Sequence, residues 1–158
     1  MILLEKNLRP KKDFLIKFSH IRIMSEKNSS IIEPKGFALL LKNILSPLEK
    51  KDSFAQLFCG TDKTFLINPI NLNFAGLMIL RNKTLTFKAI PNENKKNLKK
   101  RKVEWDAYLE MDSQTLLALI MKRLSYFKLV FKWIFGDIKL RGLRNLFTLK
   151  KIIDLLYE

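Results

Sequence analysis

Two stretches near the C-terminus alternate strictly between apolar and polar residues, as expected for β-strands with one buried face. In the first stretch, Val103, Trp105, Ala107 and Leu109 oppose Glu104, Asp106, Tyr108 and Glu110. In the second, Ile134, Gly136, Ile138 and Leu140 oppose Phe135, Asp137, Lys139 and Arg141. The sequence therefore predicts strands over 103–110 and 134–141.

A helix is predicted after each of these strands. Asp112 or Ser113 can cap the first helix, and Gly142 breaks the second strand before the last helix begins. The first helix has the apolar residues Leu116, Leu117, Leu119, Ile120, Met121 and Leu124. The last has Leu143, Leu146, Leu149, Ile153 and Leu156 at helical spacing. The predicted order is strand, helix, aromatic segment, strand, helix.

The chain from Pro34 to Gly60 predicts two helices. The first covers 34–50, and Pro47 should bend or end it. Asp52 or Ser53 can cap a shorter helix that Gly60 stops. We interpret Cys59, at the end of this helix, as a small buried packing residue.

Three more strands are predicted in the middle of the chain, over 65–68, 70–80 and 83–89. Asn68-Pro69 and Asn82-Lys83 are turn signals between them. At least three of the five strands have one polar face, so helices should cover only the other face. The predicted fold is a two-layer α+β domain with a mixed or antiparallel five-stranded sheet. Glu104, Asp106 and Glu110 are expected on its solvent side.

The 158 residues fit one domain, and 47% of them are hydrophobic. The longest apolar run, Leu116 to Met121, is much shorter than the roughly 20 residues of a membrane span. The N-terminus lacks the apolar core of a secretory signal, and a single cysteine fits a reducing compartment. These features predict a cytoplasmic protein.

The net charge of +15 has two explanations that the sequence leaves open. It can attract a polyanion, either nucleic acid or an anionic membrane, or it can reflect a compositional bias. Residues 1–30 are predicted to be a basic, mobile extension, and Met24 is an alternative natural start. Residues 91–102 are predicted to be a basic loop.

Catalytic patterns are missing from the sequence. It has no Gly-rich phosphate loop, paired-carboxylate motif or metal-ligand cluster, and His20 is its one histidine. The sequence therefore predicts a protein that is not an enzyme and needs no cofactor.

The C-terminal helices and the aromatic segment have more bulky apolar area than a thin two-layer core needs. The aromatic residues are Tyr126, Phe127, Phe131, Trp133 and Phe135. They can pack on one another, or they can enclose a pocket for a lipid tail. A third hypothesis is an adaptor that docks a partner through a helix groove.

Two sequence segments resemble the sterol carrier protein type-2 family, and the resemblance extends from about Pro34 to the C-terminus. The first is Trp133-Ile134-Phe135-Gly136-Asp137-Ile138-Lys139-Leu140-Arg141-Gly142, a bulky apolar pair, a strand and a Gly before the closing helix. The second is Phe65-Leu66-Ile67-Asn68-Pro69-Ile70-Asn71-Leu72-Asn73-Phe74, which is similar to the bacterial ubiquinone-biosynthesis accessory branch. Leu143 and Arg144 stand where that branch usually has an acidic residue and Thr.

The resemblance implies a non-catalytic carrier over residues 31–158. It would hold polyprenylated quinone intermediates and present them to ubiquinone-biosynthesis enzymes, which in that branch include peptidase-like iron–sulfur hydroxylases. The implied tail-binding residues are Phe74, Phe87, Leu116, Ile120, Phe131, Ile134, Leu146, Leu149 and Ile153. The residues expected to hold the protein peripherally on an anionic membrane are Lys95, Lys96, Lys99, Lys100, Arg101, Lys102, Lys150 and Lys151.

The competing functional class is a basic nucleic-acid-binding protein. It would use the Lys95–Lys102 charges, with exposed aromatic residues for stacking. Because the aromatic residues lie on apolar faces and not among the lysines, the sequence favours the lipid carrier.

Overall fold

A computed structural model describes residues 33–158, so the predicted basic extension, with His20 and Met24, lies outside the described residues. The described part contains a five-stranded sheet in the order β3-β2-β1-β4-β5. The strands are β1 (Asp62–Pro69), β2 (Phe74–Arg81), β3 (Thr84–Pro91), β4 (Ala107–Met111) and β5 (Lys139–Arg141). Strands β1, β2 and β3 are antiparallel neighbours, β4 is parallel to β1, and β5 is antiparallel to β4. The predicted mixed five-stranded sheet is confirmed.

The turn between β2 and β3 lies where the sequence predicted it. Asn82 and Lys83 both have positive φ, at 42° and 74°, and Arg81 pairs with Thr84 across the turn. Two consecutive left-handed residues form the type I′ turn, whose twist matches that of the flanking strands. The turn therefore sets the register of the hairpin.

Six α-helices and three 3-10 helices occur in the described residues. The α-helices are α1 (Phe37–Leu45), α2 (Asp52–Leu57), α3 (Lys100–Val103), α4 (Ser113–Ile120), α5 (Tyr126–Ile134) and α6 (Leu143–Asp154). The 3-10 helices are Ser46–Lys50, Lys95–Leu98 and Leu155–Tyr157. Helix α1 ends just before Pro47, as predicted, because proline cannot donate the backbone hydrogen bond that would continue it.

The predicted strand over 134–141 was wrong in its first half, because Ile134 is the last residue of α5 and a turn follows it before Lys139. Ile134 lies four and three residues after Val130 and Phe131, so the apolar spacing continues the helical period of α5. Only Lys139–Arg141 pairs with β4. The alternation in the sequence was genuine, but a local pattern does not reveal how many residues find a partner strand.

Two further boundaries were wrong. The Asn68-Pro69 pair completes β1, and the turn follows at residues 70–73, where Ile70 donates its N–H to the Met111 carbonyl at 3.0 Å. Residues 91–102 are not simply a loop, since they form a 3-10 helix and then α3. The first error arises from the pairing of Asn68 and Pro69 with β4, which is distant in sequence.

The main core lies between one face of the sheet and the helices. The largest fully buried side chains here are Phe54, Phe65, Leu41, Leu45, Leu48, Met78, Leu80, Met111, Leu116, Ile138 and Ile152. Gly76 on β2 lets α1 approach the sheet closely, because a Cβ at this position would lie 2.7 Å from a Leu41 methyl. The predicted two-layer α+β arrangement is confirmed.

A second, smaller apolar cluster lies on the opposite face of the sheet. It contains Leu66, Ala75, Leu77, Leu98, Trp105 and Tyr108. Trp105 was predicted to share a face with Ala107, but it lies before β4 and donates its indole N–H to the Leu98 carbonyl at 2.9 Å. This bond holds the basic segment, residues 95–102, over this opposite face of the sheet. Tyr108 and Glu110 are consequently buried, which corrects the predicted solvent side.

Cys59 is exposed, so its predicted role in core packing was wrong. It lies immediately after Phe58 and before Gly60, whose φ of 68° turns the chain away from α2. Phe54 and Phe58 fill the core position on this side, with their ring centroids 4.8 Å apart. Cys59, in the turn that follows α2, is therefore directed to solvent.

Asp112 caps α4 as predicted, because its Oδ1 accepts the Thr115 N–H at 2.8 Å. We expect Asp112→Ala to lower the free energy of unfolding by about 1 kcal/mol, since an unpaired helix N–H would remain. Chemical denaturation would measure the change. Gln114→Ala, at an exposed position of the same helix, should change stability by less than about 0.5 kcal/mol. Equal effects of the two substitutions would contradict a capping role.

Candidate functional site

Most of the predicted tail-binding residues meet at the main core. Phe87, Leu116, Ile120 and Leu149 are buried within it, while Leu146 and Ile153 are partly buried and pack against it. They come from β3, α4 and α6. Phe74, on β2, is half-buried. The structure therefore brings six of the nine residues together in one apolar cluster.

Phe131 and Ile134 lie elsewhere, on the outer side of α5. They are 58% and 68% exposed. Neighbouring apolar side chains are similarly exposed, and together they form what we call the α5 apolar face: Phe127, Val130, Phe131, Ile134 and Phe135. A group of contiguous exposed apolar side chains typically marks a binding surface.

Helix α5 is held to the domain through its opposite side. Leu129 is partly buried against the main core, and Lys132 is half-buried. After the helix, the N–H groups of Asp137 and Ile138 both donate to the Lys132 carbonyl, at 2.9 and 3.3 Å. The helix thus directs Leu129 and part of Lys132 toward the domain, and it leaves Lys128 and most of its bulky apolar side chains exposed. A surface helix usually buries such apolar side chains.

The predicted basic surface is divided between the two faces of the sheet. Lys95, Lys96, Lys99, Lys100, Arg101 and Lys102 are all exposed on the segment fastened by Trp105. Four of them line a depression of about 220 Å³: Lys96, Lys99, Arg101 and Lys102. Lys150 and Lys151 are on α6, in the helix layer. The structure does not bring the two groups together.

Lys150 and Lys151 also differ from each other. Lys150 donates to Asp154, which additionally forms an ion pair with Lys122 at 3.4 Å. The hydrogen bond from Lys150 lowers the pKa of Asp154. Lys151, at the next helical position, is exposed and takes no part in the ion pairs between residues 33 and 158.

A buried polar network was missed by the sequence analysis. Glu110 accepts hydrogen bonds from the Tyr108 hydroxyl, from Asn68 Nδ2 at 3.1 Å and from Lys139 Nζ at 2.6 Å. Asn92 Nδ2 extends the network to Asn68 Oδ1 at 2.8 Å. The sequence contained one usable signal, the alternation that places Tyr108 and Glu110 on the same side of a strand. Their burial depended on the strand pairing.

The network does not have a group poised for proton transfer near neutral pH. Burial, with the hydrogen bond to Glu110, raises the pKa of Tyr108. Burial alone would raise the pKa of Glu110, but the hydrogen bonds from Lys139, Tyr108 and Asn68 lower it overall. At neutral pH the phenol is therefore neutral and the carboxylate charged, which suits a structural role.

Two absences within residues 33–158 bear on the site. No three His, Cys, Asp or Glu side chains come together as a possible metal site. In this part of the chain, no helix has the length and apolar character needed to cross a bilayer.

The described fold is a mixed five-stranded sheet with a helix layer on the face that contacts the main core. Solved structures of the sterol-carrier type have a similar α+β arrangement. UbiJ-SCP2, a ubiquinone synthesis protein, has a TM-score of 0.50 and 11% identity, covering 77% of this chain and 88% of the other. A conserved hypothetical protein from Thermus thermophilus, described as a possible sterol carrier protein, has a TM-score of 0.50 and 14% identity. That match covers 82% of this chain and 87% of the other. These similarities support a sterol-carrier-like fold.

The stereoselective inverting sec-alkylsulfatase Pisa1 from Pseudomonas sp. also matches, with 21% identity and a TM-score of 0.45. The match covers 64% of this chain but 14% of the enzyme, so the chain spans a small part of that protein. No family model and no curated protein matches the sequence.

Proposed function

We propose that this protein is a non-catalytic lipid-binding carrier. The observation that carries the proposal is the exposed α5 apolar face beside the helix layer of a sterol-carrier-like fold. The predicted tail-binding residues lie on both parts. Six belong to the core cluster, and Phe131 and Ile134 belong to α5. A lipid tail would cover apolar side chains of both parts.

The driving force would be burial of apolar surface. Leu146 and Ile153 on α6 are only partly buried, and Phe131 and Ile134 are exposed. A tail covering these side chains would contribute about 0.8 kcal/mol for each of its buried CH₂ groups, offset by the cost of ordering the tail and α5. A long tail can therefore bind without a charged or hydrogen-bonding group in the site.

Polyprenylated quinone intermediates are the ligands we propose. Their tails are long and apolar, and the similar structure UbiJ-SCP2 is a ubiquinone synthesis protein. The protein would hold such intermediates at an anionic membrane surface and present them to enzymes of ubiquinone biosynthesis. Residues 1–30 would act as a basic extension of the carrier domain.

We expect lipid to co-purify with the full-length protein when it is isolated without detergent. Mass spectrometry of an organic extract would identify it. Leu146→Trp combined with Ile153→Trp should lower the recovered amount at least about tenfold, because indole rings at partly buried positions would occupy the space of the tail. Leu57→Trp, at a position 52% exposed on α2, is the matched control.

An empty wild-type protein that also fails to bind added polyprenyl quinone would contradict the carrier function. Equal lipid recovery from the double variant and the Leu57 control would contradict the location of the site. Circular dichroism would establish that both variants retain their secondary structure.

Nucleic-acid binding is a second candidate because of the basic depression over the second face. Its four side chains form no salt bridge within the described residues. Trp105, the aromatic residue beside it, is buried and has its indole N–H bonded to Leu98, so it offers no stacking surface. Binding to DNA and to anionic vesicles at matched salt concentration would separate the two functions.

A further inference from the structure

The α5 apolar face is the largest continuous group of exposed bulky side chains along the described sequence. Phe127 and Phe135 at its ends are 79% and 77% exposed. The nine residues of α5 extend about 14 Å. Because the side that faces the domain is occupied by Leu129 and Lys132, these rings have no role in the core.

Positive charge surrounds this face along the chain. From Lys122 to Lys151 the sequence has one acidic residue, Asp137, and nine basic residues: Lys122, Arg123, Lys128, Lys132, Lys139, Arg141, Arg144, Lys150 and Lys151. Several of them are paired internally, as with Lys132 and Asp137 at 3.9 Å. Arg123, Lys128 and Arg144 are exposed and form no salt bridge within residues 33–158.

We propose that the α5 apolar face is a membrane-docking surface that inserts into the interfacial region of an anionic bilayer. An amphipathic helix of this kind lies in the plane of the interface, with its apolar side chains about 5–10 Å deep. The neighbouring cations would contact lipid headgroups, each contributing through the negative surface potential. This inference rests on the proposed function in one respect, since a carrier has to collect its lipid at a bilayer.

The charge distribution argues against a second copy of this chain as the occupant. Two protomers meeting through α5 would bring Lys128 of one close to the same positive region of the other. Each protomer has a net charge of +15, so their association is opposed by repulsion. An anionic membrane reverses the sign of this interaction and favours docking.

The protein contains an internal reporter of this docking. It has two tryptophans: Trp133 on α5, which is 43% exposed, and Trp105, which is 7% exposed. We expect vesicles of phosphatidylglycerol and phosphatidylcholine to shift the fluorescence of the full-length protein to shorter wavelength. In Trp133→Phe the shift should disappear while co-sedimentation with vesicles persists, because Trp105 is already buried.

Substitution of the face provides the decisive test. Phe127→Ser combined with Ile134→Ser should lower partitioning into the anionic vesicles at least about tenfold, because interfacial binding scales with the apolar area inserted. Leu57→Ser combined with Ile70→Ser removes two other exposed apolar side chains, at 52% and 57% exposure. This matched control should partition as the wild type does.

Each outcome supports or overturns the docking surface. Equal partitioning of the two double variants, or no shift from Trp133, overturns it. Concentration-dependent dimerisation in light scattering that is abolished by Phe127→Ser with Ile134→Ser, without vesicle binding, overturns it in favour of a second copy. Vesicle docking by a protein that yields no lipid and binds no added polyprenyl quinone would reject only the carrier function. Lipid recovery without docking would reject only this surface.

Discussion

Replacing Gly142 with alanine is expected to lower the free energy of unfolding by about 3–5 kcal/mol. Gly142 has a φ of 71°, and a Cβ built on it would lie 2.2 Å from the Asp106 carbonyl oxygen and 3.1 Å from the Ala107 Cα. All of these are backbone atoms next to β4, so no side-chain rotation relieves the overlap. The chain must shift either β4 or the start of α6.

Gly60→Ala provides the control for backbone conformation alone. Gly60 has nearly the same φ, 68°, but a Cβ there meets nothing within 4 Å. Its substitution should cost only about 1–2 kcal/mol, the penalty of a left-handed residue with a side chain. Urea titrations of both variants would measure the difference. Equal losses would mean that the close approach to Asp106 is not a constraint.

The Gly142 substitution should also weaken lipid binding. Helix α6 begins at Leu143 and contains Leu146, Leu149 and Ile153, three of the predicted tail-binding residues. Moving the start of α6 away from β4 displaces them relative to the rest of the core cluster. A folded fraction of Gly142→Ala that bound lipid as the wild type does would show that the helix position is not important to the site.

Replacing Glu110 with alanine is expected to lower the free energy of unfolding by about 3 kcal/mol. The carboxylate is 6% exposed and accepts bonds from Tyr108, Asn68 and Lys139. Without it, the buried Tyr108 hydroxyl loses its acceptor and Asn68 Nδ2 keeps only the Tyr108 oxygen at 3.3 Å, while the exposed Lys139 can be solvated. Glu93→Ala, at an exposed position, is the control and should have little effect.

Glu110→Gln separates the charge of this group from its shape. The folded-state pKa of Glu110 lies below its usual value, so its carboxylate contributes stability above the unfolded pKa of about 4.3. This contribution is lost as the pH falls through the lower folded pKa. The stability difference between the wild type and Glu110→Gln should therefore shrink on acidification from neutral pH. Urea titrations at several pH values would measure it, and a constant difference would contradict the network.

Tyr108 should produce a complementary effect in alkaline solution. Its pKa is raised by burial and by the hydrogen bond to Glu110, so the folded state favours the neutral phenol. The resulting stability is present below the ordinary tyrosine pKa of about 10 and is lost as the pH rises above it. In Glu110→Ala the Tyr108 phenol should ionise at lower pH, which ultraviolet absorbance would detect.

Local patterns were sufficient for much of the fold. The Asn82-Lys83 turn, the Asp112 cap, the end of α1 before Pro47 and the start of α6 after Gly142 were all predicted from neighbouring residues. Each depends on interactions within a few positions of the chain. The same locality explains why five strands could be counted before their pairing was known.

The site was predicted less completely. Spacing grouped Leu116 with Ile120 on α4, and Leu146 with Leu149 and Ile153 on α6, because a helix places such residues on one stripe. It could not show whether a stripe faces a core or solvent. Phe131 and Ile134 have the same spacing, yet the side of α5 that contacts the domain is the side of Leu129.

The sequence by itself determined the α+β class, the turns and caps, and the surplus of bulky apolar and basic residues, because these follow from composition and short-range periodicity. Only the tertiary structure decided that Glu110 is buried, that Cys59 is exposed and that α5 turns its aromatic face outward. Burial is a property of partners that lie far apart in the chain. Lys139 meets Glu110 across 29 residues, and Asn68 meets it across 42. No pattern within one segment contains that information.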